Sequence, residues 1–451
     1  MAIELISNTV QTTPKEQPEF PSVSGYAPEV NLLDLQLFTQ GPPHSAFKKM
    51  REQGPICWHH GANAAVTEDT AGFWNLVRYK DIQDVSKDTS TFSSQLGSMH
   101  IAVGRAVAPE VQPLFAASFN NMICMDGDWH KDLRSTHNPF FTNEEVQKIQ
   151  TRIEHKVTQI LDDMAPLGEC DLVENFSQIL PLYTLSQILG IPEEDEHRLA
   201  HWMHYLEIAS YISTAGMESV GGSIPDNFVA EFLDVVKEML DYGRFQFHNR
   251  RKSKQDDLLS AIAWAQLEES LLSDEYLDGS WLLIVFAGND TTRNTLSGTT
   301  RLLTENPEQK QKVLDNPELL PNMVEEAIRM ISPVMHMRRT ATRETQIGEQ
   351  RIGQNEKVVM WYGAGNRDPE IFPNPDQFDI ERSNANKQIA FGFGKHMCIG
   401  HRVARMQLQC AYKQLLQRFP DLEWTGEIEI APNNFVHAIR KMPVRFKPRK
   451  S

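Results

Sequence analysis

The stretch Phe391-Gly392-Phe393-Gly394-Lys395-His396-Met397-Cys398-Ile399-Gly400 is the part of the sequence best equipped for chemistry. Gly392 and Gly394 let the backbone turn tightly and approach a flat ligand closely. The spacing places Cys398 at the start of a helix, where backbone N–H groups and the positive helix end favour a thiolate. A thiolate donates electron density to iron and favours O–O cleavage. His396, two residues earlier, can reach an anionic group at the edge of such a cofactor. The plainer alternative is a buried structural cysteine beside a glycine turn. Several demanding residue types at fixed spacing favour the ligand.

The loop resembles the pattern Phe-Gly-x-Gly-x-His-x-Cys-x-Gly of the cytochrome P450 family at every fixed position. Resemblance to its bacterial soluble members runs from about Glu29 to the C-terminus. It implies a mainly α fold with a minor β region: a triangular helical prism, a long central helix over haem, and small sheets. It implies haem b, with Cys398 as axial thiolate and Phe391, Gly392, Gly400, Ala287 and Gly288 against the cofactor. Glu326-Ala327-Ile328-Arg329 resembles the family's Glu-x-x-Arg pair, whose spacing puts both side chains on one helix face. Arg382 fits the third member of that structural trio.

Met125 to Arg134 resembles the family's His-x-x-x-Arg helix, and Met337-Arg338-Arg339-Thr340 its later basic element. Buried anions need cations and hydrogen bonds. His130, Arg134, Arg339 and His396 are therefore expected to hold the haem propionates. For each one alone, an exposed cation is the alternative. Gly127-Asp128 stands where many relatives have Pro-Pro, which leaves the start of this helix open. Gln407 replaces a common Glu, away from the chemistry.

The apolar run Leu282 to Ala287 leads into Gly288-Asn289-Asp290-Thr291-Thr292. Such an interruption can be a packing kink or a polar patch between helices. The family's acid–alcohol pair falls on Asp290 and Thr291. The resemblance thus implies that Thr291 hydrogen-bonds dioxygen and Asp290 relays protons. Gly288 is expected to open the helix for oxygen and water. The expected reaction is oxygen insertion into a substrate bond, the cofactor carrying the chemistry and the protein supplying position, protons and exclusion of water. A peroxide-driven haem-thiolate enzyme would not need this pair. A non-catalytic haem sensor would need neither Thr291 nor a substrate channel.

The elements that must position these residues follow from periodicity. Ser45 to Gln53 reads as a helix and Phe73 to Val77 as a strand. Glu144 to Met164 carries Val146, Ile149, Ile153, Val157, Ile160 and Leu161 at helical spacing. It opens a helical region reaching about Gly243, interrupted at Ser213 to Asp226. That interruption and the unpatterned Leu96 to Asn121 are expected to form a lid. A long helix starts at a Ser273 cap and ends at Asn306-Pro307. Pro321 to Ile331 carries Glu326 and Arg329. Glu356 to Trp361 reads as a strand, Pro369 to Arg382 as coil and Ile399 to Phe419 as the last helix. Residues 1–28 read as a flexible arm and 29–451 as one domain.

Composition limits the function classes. The 451 residues are 40% hydrophobic and 23% charged, an ordinary globular balance. A net charge of -16 argues against nucleic acid, which needs a concentrated basic surface. Five cysteines, an odd number without CxxC spacing, argue against a disulfide framework or zinc site and for a reducing compartment. No run suits a membrane span or signal peptide. A cytoplasmic monomer is expected.

There is no Gly-x-Gly-x-x-Gly fingerprint, so electrons must come from separate proteins. The resemblance implies an iron–sulfur ferredoxin and its flavoprotein reductase, drawing on NAD(P)H. Lys131, Lys395, Arg402 and Arg405 could dock an acidic carrier, or form only a solvated charged face. Candidate substrate contacts are Leu283, Phe286, Ala287, Val334, Met335, His336, Met337, Phe435 and Val436. They are mostly apolar, which implies an alkyl chain, fatty acid, terpenoid or steroid. His336 could give one polar contact, or a structural hydrogen bond. The motifs look closest to alkane, lipid and sterol side-chain hydroxylases.

Overall fold

The computed structural model describes residues 30–54, 56–59, 72–95, 97–99, 101, 112–215 and 228–449. The expected arm, and parts of both expected lid segments, lie outside the described residues.

Asp274–Glu305 is a single helix of 32 residues, buried along most of its length. Asp274 and Glu275 sit in its first turn, where negative charge suits the helix dipole. Ser273 occupies the cap position with extended backbone, but its side chain makes no cap hydrogen bond. The expected Ser273 cap is thus a backbone feature only. The helix packs against Gln112–Phe119, Ile179–Leu189, Phe228–Lys252 and Leu320–Ile331. Its two halves belong to different apolar clusters. Leu277, Trp281 and Val285 join Leu185, Trp202 and Phe247. Leu296 and Leu303 join Ile153, Phe176, Ile328 and Tyr412. The polar segment around Asp290 falls at the seam between them.

Asn143–Met164 forms as its pattern predicts. Thr142 caps it, its Oγ1 accepting from Glu145 N at 3.3 Å. Gln112–Phe119 is a helix where no pattern was expected. Its apolar residues lie on more than one side, and the Phe115 and Phe119 rings pair 5.0 Å apart. That arrangement leaves no amphipathic period to read.

The main sheet has the order Ile56–His59, Phe73–Leu76, Lys357–Trp361, His336–Ala341, Phe92–Ser93. Lys357–Trp361 runs parallel to Phe73–Leu76, and the other pairings are antiparallel. Its five residues are all buried, and the four after Lys357 form an apolar run.

Leu320–Ile331 ends at Ser332, whose φ of 44° is left-handed, just before Pro333. Its Glu326 and Arg329 have no exposed surface. Arg329 Nε and Nη2 donate to the two Glu326 carboxylate oxygens at 2.7 and 2.8 Å. Arg382 Nε donates to Glu326 at 3.0 Å. The remaining guanidinium N–H groups go to the carbonyls of Asn366, Pro373, Asn374, Pro375 and Gln377. The trio thus fixes the coil that leads to the cysteine loop. Removing one partner of such a buried set strands a charge, at a cost of about 3–5 kcal/mol. Glu326→Ala should lower unfolding free energy by about that amount in urea titrations.

Candidate active site

Gly392 and Gly394 both have φ of 72°. A Cβ on Gly394 would meet the Ser86 carbonyl oxygen at 2.6 Å, so the loop comes too close to that backbone for a side chain. Cys398 N donates to Phe391 O at 2.8 Å and closes the loop. The final helix is His401–Arg418 with Gly400 as its cap residue. Cys398 therefore lies two residues before the cap, and the Gly400 and His401 N–H groups reach its sulfur. A Cβ on Gly400 would be 3.9 Å from that sulfur.

Cys398 has exposed surface, yet burial dominates its pKa and pushes the thiol up. Both statements hold if the sulfur faces an enclosed space instead of bulk solvent. The two N–H groups, Arg134 and Arg405 oppose the shift. A metal ion at the sulfur would deprotonate it outright. Ala287 is likewise exposed in the middle of the otherwise buried central helix.

The expected propionate ligands gather in one place. The helix Gly127–His137 starts with Gly127 at φ 60°, so the unusual Gly-Asp still places His130 in an early turn. The His130 and His396 rings lie 4.1 Å apart. His130 Nε2 is buried without a hydrogen-bond partner, and burial pushes its pKa down to about 3, with His396 and Arg134 adding. Arg339 is 3% exposed and donates to Ser98 Oγ at 2.9 Å and Arg338 O at 2.7 Å, while its Nε has no partner. Arg134 Nη2 donates to Met397 O at 2.6 Å, beside the cysteine.

His396 is held differently from expectation. Its Nε2 lies 3.3 Å from both Asp126 Oδ1 and Ser94 Oγ. Asp126 also accepts from Ser93 Oγ at 2.6 Å and Ser94 N at 2.8 Å. Sequence reasoning missed Asp126, Ser94 and Ser98. Asp126 adjoins the His130 motif and could have been suspected; the serines carry no signal. Among the described residues, cationic side chains outnumber carboxylates here, and orphaned buried nitrogens remain on His130 and Arg339. These features fit a group with a flat body, a thiolate-binding metal and an anionic edge, as haem has.

On the central helix, Thr291 is half-exposed and Asp290 is 2% exposed. Thr291 Oγ1 donates to Ala287 O at 3.2 Å. Asp290 faces Arg293 at 3.3 Å, with Asn289 Nδ2 3.3 Å from Asp290 Oδ1. Burial raises the Asp290 pKa to about 6, Arg293 opposes, and Glu207 adds. Gly288 does not open the helix, which is continuous there. A Cβ on it would meet Leu185 Cδ1 at 2.7 Å, so this glycine admits the neighbouring helix Ile179–Leu189.

The candidate substrate contacts divide. Phe286 stacks on Phe435 with ring centroids 6.2 Å apart, and Val334 pairs with Val436 in an isolated bridge. Val334 and Met337 are half-exposed. Met335 is not with them: it is 2% exposed and packs with Phe38, Phe47 and Trp361. It lies just before the strand His336–Ala341, where the chain turns its side chain into that core. His336 packs against Trp361 and Phe435, at 5.1 and 5.3 Å. Leu283 is buried in the apolar cluster with Trp281. Among the expected docking cations, Lys131, Lys395 and Arg402 are exposed. Arg405 is committed to Glu325, to His401 and to the Phe391 ring, so it braces the loop from within.

The cytochrome P450 family model matches residues 30–433, and the chain belongs to that family. It is an oxidoreductase of the monooxygenase type, and haem iron, dioxygen and electron donors come with the family. Linalool 8-monooxygenase from Pseudomonas putida is 31% identical over 93% of this chain and 99% of its own. Methyl-branched lipid omega-hydroxylase from Mycobacterium tuberculosis is 29% identical over 98% of both chains. A Mycobacterium marinum cytochrome P450 in complex with pseudoionone superposes with a TM-score of 0.81 at 31% identity, covering 97% of this chain and 100% of that one. Among the described residues no helix is long and apolar enough to cross a membrane.

Arg339→Ala removes a buried cation whose charged hydrogen bonds are worth about 1.5–3 kcal/mol each. Haem affinity should fall about ten- to hundred-fold, measured by haem transfer to an acceptor protein.

Proposed function

We propose that this chain hydroxylates a hydrophobic small molecule, an alkyl chain, fatty acid, terpenoid or steroid, with haem held by Cys398. Electrons come from a separate ferredoxin and its NAD(P)H-linked reductase. The chain acts as one catalytic domain in a cytoplasmic monomer. The observation that carries the reading is a buried acid, Asp290, whose pKa is near 6, beside the accessible hydroxyl of Thr291. A sensor or a peroxide-driven enzyme has no use for that pair. The names of relatives that act on linalool and methyl-branched lipids support the substrate class.

Bound haem, supplied with dioxygen and electrons, provides the oxidising power. His130, Arg134, Arg339 and His396 compensate its carboxylates, and the Cys398 loop fixes its iron side. Phe286, Phe435, Val334 and Met337 give the substrate an apolar wall and keep water from it. Thr291 turns its hydroxyl from the Ala287 carbonyl into the pocket. Asp290 holds or releases a proton near neutral pH. Adjacent helix residues diverge, so the proton passes between them through water or after Asp290 turns. The protonated fraction of Asp290 falls as pH rises through about 6.

The reduced, carbon monoxide-treated protein should show the red-shifted band of thiolate ligation, and Cys398→Ser should lose it. Thr291→Ala should keep the band but divert most electrons to peroxide, read as product per NAD(P)H in a substrate screen that includes linalool and fatty acids. Retained coupling in Thr291→Ala would favour the peroxide or sensor reading. Lys395→Glu with Arg402→Glu should weaken turnover several-fold at low ferredoxin and low salt, since exposed charges mainly steer association. Unchanged rates would count against docking at this face.

A further inference from the structure

Asp290 is not alone in its buried niche. Arg293 Nη2 lies 3.3 Å from Asp290 Oδ1 and 3.5 Å from Glu207 Oε1. Arg440 Nε lies 3.5 Å from the same Glu207 oxygen. Asp290, Arg293 and Glu207 are 2%, 6% and 6% exposed. Undivided charged N–H···O contacts are about 2.7–2.9 Å long. The Arg329–Glu326 pair in this molecule, at 2.7 and 2.8 Å, falls in that range. Arg293 instead stands between two carboxylates at a distance ideal for neither.

We infer that Glu207 is a positioning residue for Asp290: it holds a share of Arg293 and so keeps that guanidinium from locking Asp290 as a carboxylate. The inference rests on the reading of Asp290 as proton relay. Among the described residues, three elements bring charge to Asp290. Arg293 comes from its own helix, Glu207 from Glu196–Ala215, and Arg440 from the strand Ile439–Lys441. Exposed His204 lies near Glu207, Arg440 and Arg293. The strand is pinned to the helix: Ile439 N donates to Asn294 Oδ1 at 2.6 Å, and Asn294 Nδ2 donates to Asp290 O at 2.7 Å. The backbones that carry Asp290 and Arg440 are therefore tied together.

The sign follows from electrostatics. Glu207 disfavours a second negative charge and raises the Asp290 pKa, while Arg293 lowers it. Neutralising Glu207 removes the repulsion and weakens its hold on Arg293. Both changes move Asp290 titration to lower pH. Arg440 favours the Asp290 carboxylate, so neutralising it moves the titration to higher pH.

The test uses the haem-loaded full chain. The Asp290 carboxyl is titrated by its infrared C=O band, assigned by its loss in Asp290→Asn. Glu207→Gln should lower the midpoint by about one pH unit. Glu207→Asp should stay within a few tenths of the parent, and Arg440→Gln should raise it. A role limited to packing would alter melting temperature without moving the midpoint. If Glu207→Gln fails to load haem, Arg440→Gln alone decides by its direction. An unmoved midpoint, or a shift of opposite sign, overturns the inference. The relay reading is checked separately by the H2O/D2O ratio of dioxygen consumption rates. If Asp290→Asn leaves that ratio unchanged, the relay reading fails, whereas the infrared shift still decides whether Glu207 tunes Asp290.

Discussion

A carboxylate with no exposed surface, Glu326, is the constraint on which the rest of this molecule depends. Such a charge is tolerable only if its partners are complete. Arg329 from the same helix and Arg382 from a distant coil complete it, and their spare N–H groups satisfy five carbonyls of that coil. An irregular segment built from successive short turns is thereby tied to the helix just before the loop that carries Cys398. The cysteine can then be presented from a glycine-rich turn without losing its place.

Charge compensation also organises the two sides of the central helix. Around His130, Arg134, Arg339 and His396, among the described residues, cations exceed carboxylates, and two buried nitrogens lack partners. A protein does not keep such a surplus for stability, because each buried, unpaired polar group is costly. The surplus makes sense as the complement of an anionic ligand. Around Asp290, among the described residues, two carboxylates meet two guanidiniums instead. Balance with long contacts allows a proton to come and go where a tight pair would hold the charge fixed.

Much of the fold was legible in the sequence. Long helices with unbroken periodicity, such as Asn143–Met164 and Leu320–Ile331, came within a residue or two of their ends. The misses share a cause. Gln112–Phe119 carries apolar residues on several sides, so no period marked it. Gly288 suggested an opened helix, because a glycine beside polar residues reads locally as a break. Its true reason is Leu185, more than a hundred residues away in sequence. Met335 counted as a pocket residue because its neighbours are, but its side chain packs with Phe38, Phe47 and Trp361, residues distant in sequence. Arg405 counted as a surface cation, but Glu325 and Phe391 hold it.

The sequence by itself determined the thiolate loop, the Glu326–Arg329 pair, and the acid and alcohol on the long helix. Each depends on residues within a few positions of one another, and local spacing fixes their geometry. Only the tertiary structure decided the partners: Asp126 on His396, Ser98 on Arg339, and Glu207 and Arg440 on the Asp290–Arg293 pair. These contacts join residues that chain folding brings together from separate elements. Desolvation and charge at such meeting points set what each group can do, and neither can be read along the chain.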